Sequence, residues 1–277
     1  MDLAAIQRLY DFSGQTAVLT GGTGVLGGEI LCGLAALGAN VAVLSRKPKL
    51  PERLTQRLAG AAGQTAVFQA DVLDHEALVV AEKSIHERFG PVSVLVNGAG
   101  GNRPAATTNA NQSFFDMPED ALRAVFDLNL VGAVLPSQIF GRGMAERKQG
   151  AILNIASMAA YRPLTRVVAY SAAKAGVVNF TQWLATHMAL EYSPNIRVNA
   201  IAPGFFLTEQ NRFLMIDAAT EDLTPRGRAI LNHIPTSRFG APEDLLGTVL
   251  WLLSPASAYV TGIVVPVDGG FSAYNGI

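Results

Sequence analysis

The chain alternates between short apolar runs closed by turn residues and longer stretches in which apolar positions return every three or four residues. The short runs have no polar face, which predicts strands buried on both sides, the pattern of a parallel sheet. They fall at 16–20, 40–44, 65–69, 92–96, 151–154, 196–200 and 263–267. Helical periodicity fills the intervals over 26–37, 52–59, 74–89, 119–146, 170–192 and 242–253. This alternation predicts an α/β fold, with a doubly wound, seven-stranded parallel sheet carrying helices on both faces. No linker or internal repeat divides it, so residues 1–277 are read as one domain. The rhythm breaks at 101–118 and at 205–237, both after strands. Ligands of open parallel sheets lie beyond the carboxyl ends of the strands, so both segments are expected to form substrate walls.

Composition narrows the classes of function. With 277 residues, 49% of them hydrophobic, the chain can bury a large core, and disorder is not expected. A net charge of -1 with 16% charged residues offers no field for a nucleic acid. The single cysteine, Cys32, cannot form an internal disulfide, which agrees with a reducing, cytoplasmic compartment. The opening residues mix charges among the apolar ones and do not read as an export signal. No run of about eighteen apolar residues is seen, so no membrane span is expected. His86-Glu87 begins a zinc-helix motif, but position 90 is Gly, and no metal site is expected.

The first strand leads into Thr20-Gly21-Gly22-Thr23-Gly24-Val25-Leu26-Gly27, which opens the first helix of the alternating pattern. Glycines let the chain turn tightly and let backbone N–H groups approach a pyrophosphate, whose charge is favoured at a helix N-terminus. Gly21, Thr23, Gly24, Val25 and Leu26 are therefore candidate dinucleotide contacts. An acidic residue at the end of the second strand would bind the ribose 2'-hydroxyl of NAD. Ser45-Arg46-Lys47 stands there instead and offers positive charge and a hydroxyl to the 2'-phosphate of NADP, with a solvated surface as the plainer alternative. NADP(H) is thus the expected cofactor, with NAD(H) possible. Asp71 and Val72 follow the third strand, toward an adenine edge. Asn97, Gly98 and Ala99 follow the fourth, where backbone can pass close to a cofactor.

Tyr170 and Lys174 share a helix face at i, i+4, and Ser157 follows the apolar run that begins at Ala151. An unperturbed phenol, with a pKa of about 10, exchanges protons poorly near neutrality, and a fixed cation beside it is expected to lower that value. Such a phenol can exchange a proton with an alcohol or ketone, while Ser157 hydrogen-bonds the same oxygen. Tyr-x-x-x-Lys alone also occurs as an ordinary solvated pair.

Taken together, these residues resemble the short-chain dehydrogenase/reductase family over nearly the whole chain, and the resemblance implies a Rossmann-like fold. Asn129 in Asn129-Leu130-Val131-Gly132, Pro203-Gly204 and Thr208 complete the match. The resemblance implies that Tyr170 is the acid/base, Ser157 orients the substrate oxygen, and Lys174 binds nicotinamide ribose and lowers the Tyr170 pKa. It further implies that Asn129 holds a relay water and that Pro203, Gly204 and Thr208 position the nicotinamide. The chain departs from the family pattern at Val25, where Gly is usual, and at Gly98, where a second Asn is usual.

Within the family the chain is similar to the D-mannonate oxidoreductase, or fructuronate reductase, group. The similarity lies in 21–27, 97–104, 180–185, 202–206 and 268–274. It implies a small sugar-acid substrate and a homotetramer with the Tyr170 helix among its interface elements. A carboxylate wants cationic, hydrogen-bonding groups, so Asn102, Arg103, Arg162 and Arg212 are candidates, with Phe205 as an apolar wall. Reduction of another carbonyl, 5-ketogluconate or a 3-oxoacyl thioester, and a non-catalytic dinucleotide sensor are the competing readings.

Overall fold

The computed structural model describes residues 2–208 and 211–276. Its core is a seven-stranded sheet in the order β3-β2-β1-β4-β5-β6-β7. The strands are β1 (Thr16–Thr20), β2 (Asn40–Ser45), β3 (Thr65–Gln69), β4 (Val92–Asn97), β5 (Gly150–Ile155), β6 (Ile196–Pro203) and β7 (Val264–Val267). All six pairings are parallel. The continuous apolar runs have the cause expected: every residue of β1 and of β6 is buried, as strands covered on both faces require.

Helices α2 (Val25–Ala36) and α10 (Leu246–Leu253) cover one face, and α4 (His75–Phe89), α6 (Gly132–Arg147) and α7 (Val168–Glu191) the other. Leu19, Ile30, Leu34 and Val249 belong to the first core, and Leu95, Phe140, Met144 and Met188 to the second. Asp74 caps α4 by accepting from Ala77 N at 3.0 Å, which satisfies one of the donors that a helix start leaves open. Next to the sheet's far edge, Arg197 of β6 is buried without an acidic partner among the described residues. It donates to the carbonyls of Leu252 at 2.7 Å, Ser254 at 3.1 Å and Leu253 at 3.2 Å, closing the C-terminus of α10.

Three parts differ from the sequence reading. The stretch expected as one helix over 119–146 is α5 (Glu119–Phe126), a π-turn at Asp127–Val131, and then α6. The helical run Glu119–Arg147 is also long and apolar enough to cross a membrane by length and composition, contrary to the expectation that no such segment exists. Its apolar residues Phe140 and Met144 lie in the sheet's core. The irregular 205–237 segment holds two short helices, α8 (Arg212–Met215) and α9 (Pro225–Leu231), and an N-terminal helix α1 (Leu3–Leu9) precedes β1.

Candidate active site

The strand order reverses between β1 and β4, whose neighbours diverge in sequence, and this opens a crevice at their carboxyl ends. Thr20 ends β1, with Leu44 opposite it on one side and Asn97 on the other. Thr20 Oγ1 accepts from Gly98 N and Ala99 N, each at 3.0 Å, which ties the two strand exits together. Gly21 follows with φ +71, and a Cβ there would lie 2.4 Å from Gly98 O. A Cβ on Gly27 would lie 2.2 Å from Gly21 O. Only glycine fits at these two points. Gly24 then opens α2 with no side-chain cap and no acidic residue in the first turn. The first amides of the helix are therefore left to an anion, and this bare cradle fits a dinucleotide pyrophosphate. Val25 occupies the first helical position in standard geometry, so the usual glycine is not needed there for the turn itself.

Beyond β5, Ser157 and Tyr170 are brought together, close enough for the serine hydroxyl to pull against the phenol's raised pKa, and Ser157 Oγ accepts from Ala159 N at 3.1 Å. Lys174, buried on α7, lies with its Nζ 5.8 Å from the Tyr170 ring centroid and donates to Ile155 O at 2.7 Å. Burial lowers the Lys174 pKa to about 8. The expected fall in the Tyr170 pKa is not seen. Burial raises it, the neighbouring Ser157 hydroxyl opposes the rise only in part, and the Lys174 charge is turned to a carbonyl.

Asn129 sits inside the π-turn, buried, with its carboxamide doubly bonded to one residue. Oδ1 accepts from Gly101 N at 3.1 Å, while Nδ2 donates to Gly101 O at 2.7 Å and to Val125 O at 2.8 Å. A Cβ on Gly100 would lie 2.8 Å from Asn129 Oδ1 and 3.2 Å from Lys174 Nζ, so backbone, amide and ammonium meet at one point. The expected relay residue thus grips the start of the 101–118 segment.

Several predicted contacts lie elsewhere. The Asn97 side chain does not face the crevice: it is buried, donating at 2.9 Å to both Ser137 Oγ and Asn154 Oδ1, and its own Oδ1 has no partner. Gly98 and Ala99 spend their amides on Thr20 and shape the floor. Asp71 turns one carboxylate oxygen back to Leu73 N at 3.0 Å, and Val72 is buried against Gly132. Ser45 Oγ accepts from Lys47 N at 3.0 Å, with Arg46 and Lys47 exposed beyond it. Thr23 is half-buried in the turn and Leu26 packs into the first core. Pro203 ends β6. Gly204 donates to Val267 O at 2.9 Å and abuts Asp268, where a Cβ would come within 2.7 Å. Thr208 N donates to Asn211 Oδ1 at 2.7 Å.

Of the carboxylate candidates, Arg212 is committed to Glu221 at 2.5 Å, and Asn102 Nδ2 donates to Thr107 Oγ1 at 2.7 Å. Arg162 donates to Ser272 O at 3.2 Å, pinning the C-terminal tail to the loop after β5. Arg103 is exposed and its guanidinium has no hydrogen-bond partner among the described residues. Phe205 meets Phe271 edge-on at 5.2 Å and lines a cavity of about 190 Å³ with Phe206, Arg238, Asp244 and Asp268. A larger groove of about 540 Å³ runs along Val168, Ala172 and Ala175, off the Tyr170–Lys174 stripe of α7. The sequence reading gave no role to the Thr20 hydroxyl or to the Gly101 backbone, although a hydroxyl ending the first strand and the glycines after the fourth were visible signals.

A dinucleotide cradle facing a serine, tyrosine and lysine at the edge of a parallel sheet defines a nicotinamide-dependent oxidoreductase. A family model described as enoyl-(acyl carrier protein) reductase matches residues 25–272. The chain belongs to the short-chain dehydrogenase/reductase family. It is 47% identical over 276 residues to an uncharacterized oxidoreductase, UxuB, from Bacillus subtilis, covering 96% of this chain and 98% of that one. A crystal structure of a provisionally assigned D-mannonate oxidoreductase from Haemophilus influenza, with bound NAD, has a TM-score of 0.90 and 38% identity. It covers 98% of this chain and 100% of its own. A provisionally assigned 2-deoxy-D-gluconate 3-dehydrogenase from Agrobacterium tumefaciens, with bound NADP, has a TM-score of 0.80 and 33% identity over 96% and 99% of the two chains.

Proposed function

We propose that this protein moves a hydride between NADP(H) and a sugar acid, with D-fructuronate and D-mannonate as the substrate pair. The placement of Ser157 and Tyr170 together, beside buried Lys174, carries this reading. Bound nicotinamide supplies or accepts the hydride. Ser157 holds the substrate oxygen, and Tyr170 exchanges the proton with it. A raised phenol pKa keeps that proton on Tyr170 near neutrality, which suits donation to a ketone. Lys174 is placed to offer positive charge to the nicotinamide ribose, and Asn129 fixes Gly101 at the entrance of the 101–118 wall. Gly21, Gly24 and Val25 face the pyrophosphate, and Pro203, Gly204 and Thr208 back the nicotinamide.

Sugar acids are favoured by the names of the similar proteins and by Arg103, a cation at the start of that wall without a side-chain partner among the described residues. NADP(H) is favoured by Arg46 and Lys47 beyond β2, where no carboxylate stands to take a ribose 2'-hydroxyl. The family description favours a second reading, an acyl thioester substrate on a carrier protein. We read the chain as cytoplasmic and as a homotetramer associating through the exposed face of α7, where Val168, Trp183 and Leu190 stand in solvent.

The test is NADPH oxidation, followed by absorbance, with D-fructuronate, other uronates, 5-ketogluconate and a 3-oxoacyl thioester. Turnover of D-fructuronate to D-mannonate is expected. Failure on every uronate rejects the sugar-acid reading, and selective turnover of the thioester supports the second. Tight cofactor binding with no turnover on any of them points to a sensor.

A further inference from the structure

Helix α3 (Glu52–Arg57) lies against the glycine turn. Buried Leu54 fills the space in which a Cβ on Gly28 would stand, 2.8 Å from Leu54 Cδ2. Two arginines one turn apart share the face of α3 that meets this turn and α2. Arg57 reaches buried Glu29 of α2 at 2.7 Å, so its charge is neutralised by a carboxylate. Arg53 reaches Thr23 O of the glycine turn at 3.4 Å. A carbonyl accepts a hydrogen bond but does not cancel a charge, and Arg53 has no acidic partner among the described residues. It is half-buried, so its guanidinium is held against the turn and not spread through solvent.

Leu44 of β2 stands opposite Thr20 of β1, so Ser45-Arg46-Lys47 leaves the sheet at the same level as Gly21. Arg53 is carried by the helix that follows this basic tip and reaches back across to Thr23. Two cations at the strand end and a third on the helix therefore flank one mouth, with no carboxylate paired to any of them among the described residues. The residue at the end of β2 is the one that meets the ribose 2' position, whereas the open amides at the start of α2 serve the pyrophosphate.

We propose that Arg53 is a specificity-determining residue, donating from α3 to the 2'-phosphate of NADP(H) together with Ser45 and Arg46. This rests on the NADP reading above. One charge-assisted bond of this kind contributes about tenfold to a hundredfold in affinity. Equilibrium titrations with NADPH, NADH, 2',5'-ADP and 5'-AMP on the wild type, Arg53→Ala and Arg53→Lys test it. Arg53→Ala should weaken NADPH and 2',5'-ADP about tenfold or more, leaving NADH and 5'-AMP nearly unchanged, and Arg53→Lys should restore part of the loss. Equal losses on all four ligands would mean that Arg53 only shapes the turn or meets the pyrophosphate, and no loss on any would mean that it faces solvent. Either result overturns the proposal. A wild type that binds NADPH no better than NADH overturns the NADP preference alone, because the 2',5'-ADP and 5'-AMP pair still decides the role of Arg53.

Discussion

Tyr170 and Ser157 lie side by side before any substrate arrives, and burial keeps the phenol proton in place. Removing the hydroxyl leaves the ring's packing intact and takes away the proton exchange. Tyr170→Phe should therefore lower kcat about a hundredfold to ten-thousandfold, with cofactor affinity nearly unchanged. Near-normal turnover of the purified variant would take Tyr170 out of the chemistry. Arg103 presents the opposite case, an exposed guanidinium with no partner among the described residues. Arg103→Ala should raise KM for a sugar acid by about tenfold or more and leave a neutral polyol analogue little affected, since only the acid loses a charged contact. Equal effects on the two substrates would give Arg103 a structural role. The spacing of Ser157, Tyr170 and Lys174 was legible in the sequence because side chains on one helix face and at one strand end have few places to go. The bond from Lys174 to Ile155 O was not, since a backbone acceptor leaves no mark in residue identity.

At the scale of elements, the strands were read to within a residue at each end because buried apolar runs mark them, except β6, which continues three residues further, to Pro203. Helix interiors were harder. The periodicity of 119–146 runs on through the π-turn, since one extra residue shifts the apolar stripe without erasing it. The short helices α8 and α9 lack enough turns to show a period, although Thr224 accepting from Gly227 N at 3.0 Å marks the start of α9. Arg197 joins β6 to the end of α10 with no carboxylate involved among the described residues; Ser257 Oγ also donates to Leu252 O at 3.1 Å and Ser254 O at 3.2 Å, so the Leu253 carbonyl depends most on Arg197. Arg197→Leu should cost about 1.5 to 3 kcal/mol in a denaturant titration. Arg197→Lys should recover only part, because one ammonium cannot span the fork. An unchanged midpoint for Arg197→Leu would show that those carbonyls find other donors.

Stability of the whole molecule is tied to the site through Lys174. Its pKa falls from 10.5 to about 8 on folding, because burial disfavours the charged form. Between those values the unfolded chain binds more protons than the folded one, so this group's destabilisation is complete below the folded value and relieved as pH rises toward the unfolded one. Relative to Lys174→Met, the cofactor-free wild type should therefore gain about 2 kcal/mol between pH 7 and pH 10, read from paired denaturation curves. A difference that stays flat with pH would mean that the ammonium is not buried in solution.

The π-turn between α5 and α6 makes the grip on Gly101 a matter of chain length as much as of residue identity. Such a turn is a helix carrying one surplus residue, so losing any single residue from 127–131 would let the helix heal into regular turns. The flanking segments, whose faces the bulge keeps aligned, would hold their orientation, while residues inside the turn would change register by about 100° each, taking Asn129 away from the entrance of the wall. A substitution inside the turn leaves that register in place. Inheritance of the site is thus buffered against exchange of letters in this stretch and exposed to the loss of one codon.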